Sequence, residues 1–201
     1  MKEFWDNRYK SIDFTYGKEP NEYFKEKIDS LTPSTILFPA EGEGRNSVYA
    51  AKNNWQVSAF DMSFEGQKKA LALAEENKVN IDYIVSEVED IDFKNREFDC
   101  LVFIYSHFSG NKKKEYNQKL LKYLKIGGHI IFECFSKEQL NYTSGGPKDL
   151  SMLYSIDEVK SQFENVDFIE LYEKKINLEE GEFHKGKGSV IRFFGIKKLL
   201  Q

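Results

Sequence analysis

Five apolar runs of the chain leave few choices of fold. They are TILFP (35–39), QVSAFD (56–61), IDYIVS (81–86), FDCLVFIYS (98–106) and HIIFECF (129–135). Strands this continuously apolar must be covered on both faces, which is the condition of a parallel sheet sandwiched by helices. Parallel neighbours need long right-handed crossovers, and the intervening segments suit them. Helical spacing runs over 44–53, with Val48 and Ala51 on one side, and over 64–78, with Ala70, Leu71 and Ala74 inward. It recurs over 112–125, with Leu120, Leu121 and Leu124 inward and Gly127-Gly128 as a stop signal. Further helices are expected over 21–29, after Pro20, and over 156–163. The link 87–97 is short and acidic, with room for a single helical turn at most. Two last runs, 166–176 and 189–198, enclose the Gly-rich connector NLEEGEFHKGKG, which suits an antiparallel hairpin. With no repeat and no linker, the reading is one α/β domain over 1–201, in which 1–30 forms an aromatic, charged cap segment.

A net charge of −4 argues against a general nucleic-acid or anionic-membrane surface. No stretch approaches the roughly 20 apolar residues of a membrane span, and MKEFWDNRYK lacks the apolar core of a signal peptide. Cys100 and Cys134 sit in strand-like runs as buried thiols, and no metal-ligand cluster stands out. These features predict a cytoplasmic protein, monomer or homodimer, with a small-molecule partner.

The segment FPAEGEGRNSV (38–48) follows the first strand, and Asp61 ends the second, 17 residues after Gly44. In an open parallel sheet, ligands gather at the carboxyl ends of the strands, and an acid in Asp61's place accepts from ribose hydroxyls. A nucleoside-containing ligand follows. A dinucleotide would set its pyrophosphate against Glu41 and Glu43, and the third glycine of G-x-G-x-x-G is missing, with Ser47 and Tyr49 in that region. S-adenosylmethionine carries the same adenosine but a sulfonium and an ammonium in place of phosphate, so two acids suit it and disfavour NAD.

ILFPAEGEGRNSVYAAKNNWQVSAFDMS resembles motifs I and II of the class I S-adenosylmethionine-dependent methyltransferases. WDNRY…YGKEPNEYF, GGPKDL and EGEFHKGKGSVIR bring the chain closer to the small-molecule branch related to tellurite-resistance and thiol/thiopurine methyltransferases. The resemblance covers nearly the whole chain. It implies a Rossmann-like, seven-stranded mixed sheet: five parallel strands plus an antiparallel C-terminal hairpin, with helices on both faces. It also implies cofactor contacts from the turn Glu41, Gly42, Glu43, Gly44, Arg45 and Asn46 at the methionine end, and from Asp61 at the ribose. Met62 would lie against adenine, with Glu87 and Val88 at the adenine edge, where Glu89 competes. Tyr105 would face the cofactor, and Tyr16, with Trp5 and Tyr9, would form an aromatic lid near the sulfonium. Phe38 departs from the pattern, standing where many members carry an acid.

Methyl transfer is an in-line displacement in which orientation does most of the work. A general base helps only when the nucleophile must lose a proton. The catalytic candidates are His107, after the fourth strand, and His184 in the connector, which resembles the histidine of the tellurite enzymes' histidine–arginine pair with Lys185 in the arginine's place. Glu133, within the fifth strand, is expected to face the cleft or to pair with Lys148. IYSHFS lacks the Asn/Asp-Pro-Pro-aromatic group of amino-directed nucleic-acid methyltransferases and a Pro-Cys nucleophile. The implied activity is methyl transfer to a small acceptor, such as a thiol or a metalloid oxyanion. The alternative is a non-catalytic protein that binds S-adenosylmethionine or S-adenosylhomocysteine.

Overall fold

In a computed structural model describing residues 1–11 and 13–199, the chain forms a seven-stranded mixed sheet of order β3-β2-β1-β4-β5-β7-β6. The strands are β1 (Thr35–Pro39), β2 (Gln56–Asp61), β3 (Asp82–Val85), β4 (Phe98–Ile104), β5 (Leu124–Phe135), β6 (Val166–Glu180) and β7 (His184–Lys197). The first five are parallel, and β7 runs antiparallel between β5 and β6. The helices are α1 (Lys2–Tyr9), α2 (Glu22–Ile28), α3 (Arg45–Lys52), α4 (Phe64–Glu76), α5 (Lys113–Lys122) and α6 (Ile156–Gln162). None is long and apolar enough to cross a membrane.

Side-chain alternation sends successive residues to opposite faces, so each strand feeds two cores. Leu37 and Leu101 join Phe103, Phe132, Phe163 and Phe193 on the face covered by α5 and α6. Ile36, Phe38 and Val102 join Tyr23, Phe24 and Ile28 of α2 on the other. Phe38 is buried edge-on against Phe24, so the position of the expected acid belongs to packing.

Three elements differ from the sequence reading. The Gly127-Gly128 pair does not end a helix: α5 stops at Lys122, and β5 begins at Leu124, bulging through the pair before the ladder with β4 resumes at His129. Gly127 has φ 80°, which only glycine adopts without strain. The connector 177–188 is almost all strand, with Asn177↔Lys187 through Glu180↔His184 paired, and the turn is just 181–183. The N-terminal residues, assigned no element from sequence, form α1. It is anchored by Asp6, whose carboxylate accepts from Ser63 Oγ (2.6 Å) and Glu65 N (3.3 Å) at the start of α4.

Candidate functional site

The strand order reverses between β1 and β4, and the carboxyl ends there carry two strained residues. Ala40, after β1, has φ 52°, and Tyr105, after β4, has φ 53°. Non-glycine residues held in this region cluster at functional sites. Sequence reading missed Ala40, because left-handed backbone leaves no signal in an alanine.

Asp61 ends β2 almost fully buried. Its carboxylate accepts from Gly42 N (3.1 Å) and Ser63 N (2.8 Å), and has no cationic partner among the described residues. Burial outweighs those donors and pushes its pKa up to about 6. Glu41 behaves alike. It accepts from Ser47 N (2.7 Å) at the start of α3, and burial raises its pKa to about 7 against the lowering effect of that hydrogen bond and of Arg45. Two carboxylates without cationic partners among the described residues, at the carboxyl edge of a parallel sheet, could accept from an ammonium and from ribose hydroxyls.

The other polar side chains of the turn are committed within the chain. Glu43 accepts from Thr15 N (2.8 Å) and pairs with Lys69 (2.7 Å). Arg45 donates to Tyr16 O (3.2 Å) and pairs with Glu180 (3.0 Å). Asn46 Oδ1 accepts from Asn21 N (2.9 Å). A Cβ on Gly42 would meet Tyr9 Oη at 2.6 Å, and one on Gly44 would meet Ala70 at 2.6 Å, so these glycines admit neighbouring side chains. Val88 is buried in the core, Glu87 is exposed, and Met62 is half-buried beside Asp61. Glu89 is engaged by Tyr116 (2.6 Å) on α5.

The cap and the C-terminal hairpin meet over the turn. A Cβ on Gly181 would lie 2.5 Å from Thr15 O, so the hairpin tip runs against segment 15–17, and Arg8 stacks on Phe183 (4.2 Å). Close backbone approach thus accounts for one glycine of the connector, and the thing approached is the chain itself. Trp5 stacks on Tyr9 (5.5 Å), and Tyr9 is buried against the glycine turn.

His107 is not placed as a base. Its Nδ1 meets Met152 O (2.9 Å) and its Nε2 accepts from Phe135 N (3.1 Å), so both nitrogens are used and Nδ1 carries the proton. Burial lowers its pKa to about 4. It fastens the β4 loop to β5 and to segment 150–152.

His184 opens β7 rather than lying in a loop. Its Nδ1 faces Glu180 Oε2 (3.3 Å), and its ring contacts those of Tyr16 (4.4 Å), Tyr105 (4.5 Å) and Phe135 (5.2 Å). The loop 143–149 walls this cluster, since Cβ atoms on Gly145 and Gly146 would strike His184 and Phe135. Glu133 is fully buried, and its partner is Arg192, not Lys148. It also accepts from Tyr105 Oη (2.8 Å) and Asn21 Nδ2 (2.7 Å). Asn21, unremarked in the sequence, bridges Glu133 and Glu180 (2.8 Å) while its Oδ1 caps α2. Among the described residues no cluster of His, Cys, Asp and Glu could hold a metal ion.

Comparisons with known proteins agree with this fold. Residues 36–128 match a family model described as a methyltransferase domain. No curated protein matches the chain. Among solved structures, one reported with the conversion of a disulfide bond into a thioacetal group during echinomycin biosynthesis superposes with TM-score 0.79 at 14% identity, covering 98% of this chain and 92% of that one. TehB from Haemophilus influenzae gives TM-score 0.73 at 15% identity over 98% and 67%. The N-methyltransferase NodS from Bradyrhizobium japonicum, with S-adenosyl-L-homocysteine bound, gives 0.71 at 11% over 98% and 97%.

Proposed function

We propose that this chain is an S-adenosylmethionine-dependent methyltransferase acting on a small-molecule acceptor. The observation that carries the reading is the pair Glu41, half-buried, and Asp61, buried, two carboxylates without cationic partners among the described residues beside the β1–β4 switch point. The methyltransferase-domain match over 36–128 supports it. So does the bound S-adenosyl-L-homocysteine of a structural neighbour.

In this reading Glu41 holds the cofactor's ammonium group, Asp61 accepts from the ribose hydroxyls, and Met62 lies along the adenine with Glu87 at its edge. The backbone of 41–46 shapes the methionine end, while Glu43, Arg45 and Asn46 close the cap over it through Thr15, Tyr16 and Asn21. Tyr105 and Tyr16 bring ring faces toward the sulfonium. When bound, the cofactor supplies an electrophilic methyl group. The protein's part is to orient an acceptor, worth roughly 7–11 kcal/mol in well-aligned systems. His184 faces the acceptor. The resemblance in sequence suggests thiols and metalloid oxyanions, whereas the charges around His184 suggest another class.

Calorimetry tests the cofactor assignment: S-adenosylmethionine and S-adenosylhomocysteine are expected to bind, and NAD is expected not to compete. NAD binding without S-adenosylmethionine binding would overturn it. Asp61→Ala is expected to weaken cofactor binding by roughly 1.5–3 kcal/mol, the range for hydrogen bonds to a charged group. An unchanged dissociation constant in a folded variant would remove Asp61 from the site.

The affinity should also depend on pH with a defined sign. A bound ammonium favours the ionised form of Glu41, whose pKa in the empty site is about 7. Affinity therefore rises as pH rises through that value, with proton release on binding, and levels off above it. An α-amino group with a pKa of about 7.7–8.0 loses its own charge beyond that range, so the optimum falls between the two. Glu41→Gln should flatten the acidic limb. Affinity that falls between pH ~6 and ~7.5 would contradict the role.

A further inference from the structure

The surroundings of His184 bear on what the acceptor is, granted the methyltransferase reading. An anionic acceptor needs a cation to meet it. Of the nearby arginines, Arg8 of the cap lies over Phe4 and Phe183 and reaches Tyr16 Oη (3.4 Å), and the other two are already taken. Arg45 gives one Nη to Tyr16 O and the other to Glu180, and Arg192 is bound to Glu133. Lys185 and Lys187 are exposed, and Lys148 Nζ lies 3.4 Å from Tyr142 O in the loop.

The charge balance points the same way. Glu41, Asp61, Glu43, Glu133 and Glu180 stand at this edge of the sheet, and Lys69, Arg45 and Arg192 answer the last three. Asp6, close to Asp61, and Arg8, against Tyr16, offset each other in the count, so two negative charges stay unanswered. A cofactor carrying a sulfonium, an ammonium and a carboxylate brings a net charge of one positive. One negative charge remains for the acceptor. An anion or a thiolate entering here would meet repulsion, and a cation would meet attraction.

The composition of the cluster suits a cation too. The rings of Tyr16, Tyr105 and Phe135 surround the imidazole at 4.4, 4.5 and 5.2 Å, and aromatic faces attract cations. His184 is 5% exposed. With Nδ1–H directed at Glu180, the lone pair sits on Nε2, which has no hydrogen-bond partner among the described residues. The one fully enclosed orphan polar atom among them is Asn117 Oδ1, so Nε2 is not fully enclosed.

We propose that the acceptor is a small amine arriving as its ammonium ion, which these rings and the unanswered carboxylate charge hold and from which His184 Nε2 takes a proton. The freed nitrogen lone pair attacks the methyl carbon, and the carbon–sulfur bond breaks with its electron pair left on sulfur as a neutral thioether. The products are an N-methylammonium ion and an imidazolium, which Glu180 stabilises until its proton passes to solvent. Burial lowers the pKa of His184, which keeps the imidazole neutral and ready to accept.

The test is a panel of small primary and secondary amines, thiols, and selenite and tellurite. S-adenosylhomocysteine release is measured, and in parallel each compound is titrated calorimetrically into the S-adenosylhomocysteine-loaded protein. Amines are expected to bind the loaded protein and to turn over at least about tenfold faster than the other classes, ~1.4 kcal/mol. His184→Asn should cut amine turnover by about 10²–10⁴, the usual range for a general base, with nearly unchanged cofactor affinity in the folded variant. Turnover of thiols or oxyanions in preference to amines would overturn the acceptor class and leave the methyltransferase reading standing. So would a protein that binds no amine when loaded with S-adenosylhomocysteine and releases none of that product from S-adenosylmethionine with any amine. Failure to bind S-adenosylhomocysteine at all would instead sink the underlying reading, and the acceptor class with it.

Discussion

Arg192→Met is expected to destabilise the protein by about 3–5 kcal/mol, the range for breaking a buried ion pair from one side. For a chain of 201 residues, each kcal/mol lowers the melting temperature by about 2–4 °C. Glu133 is fully buried in β5, on the α2 face of the sheet, and Arg192, directly across on β7, is its only cationic partner among the described residues. Without the guanidinium, the donors left are Tyr105 Oη and Asn21 Nδ2, which are neutral. The double variant Glu133→Met/Arg192→Met separates charge from packing. Replacing both members of a buried pair by apolar residues is often neutral or stabilising, so much of the lost stability should return. Recovery would be incomplete in function. Glu133 also positions Tyr105, and Asn21 ties that network to Glu180 and to the cap, so acceptor turnover should stay low. A double variant as unstable as the single one would show that Arg192 acts through its stacking on Tyr23 (4.8 Å) instead.

This network explains what the sequence could and could not disclose. β1 and β2 are visible in the sequence because short, doubly buried strands are apolar throughout, and TILFP and QVSAFD match the observed strands residue for residue. The Gly127-Gly128 pair misleads, because a glycine pair marks a β-bulge and a helix stop with the same letters. The end of β6 and the start of β7 misread as a connector for a related reason: Leu178 is buried, but its neighbours Asn177 and Glu179 are exposed, so polar and glycine letters outnumber apolar ones in a true ladder. At the candidate site, spacing alone singles out Asp61 and the glycine turn. Which acid of the turn stays available is not, because Glu41 and Glu43 differ only in what lies across from them. Lys69 and Thr15 reach Glu43 from far along the chain. The same holds for His107 and His184, whose difference is two hydrogen bonds to backbone in one and a carboxylate partner in the other.

Gly44→Ala should be comparably damaging, by roughly 2–6 kcal/mol, from two costs that separate experiments can divide. Gly44 precedes α3 at φ 89°, a conformation that costs an L residue about 1–3 kcal/mol. Its Cβ would also lie 2.6 Å from Ala70 Cβ and 2.7 Å from Ala70 Cα, inside α4. The second of these is backbone, which yields only if the helices part, and overpacking of that kind costs about 1–3 kcal/mol. Gly127→Ala isolates the first cost, since its φ is 80° and no atom lies within 4 Å of the position its Cβ would take. It should lose only the strain. Ala70→Gly, added to Gly44→Ala, takes away the methyl group that the new side chain strikes but not the α4 backbone behind it. It should therefore restore part of the difference between the two single variants. Moving α3 away from α4 also displaces Glu41 and the Gly42 amide that donates to Asp61, so Gly44→Ala should weaken S-adenosylmethionine binding, whereas Gly127→Ala should not. Equal losses of stability in the two variants, measured by urea titration, would mean that α3 and α4 do not depend on a bare backbone at Gly44.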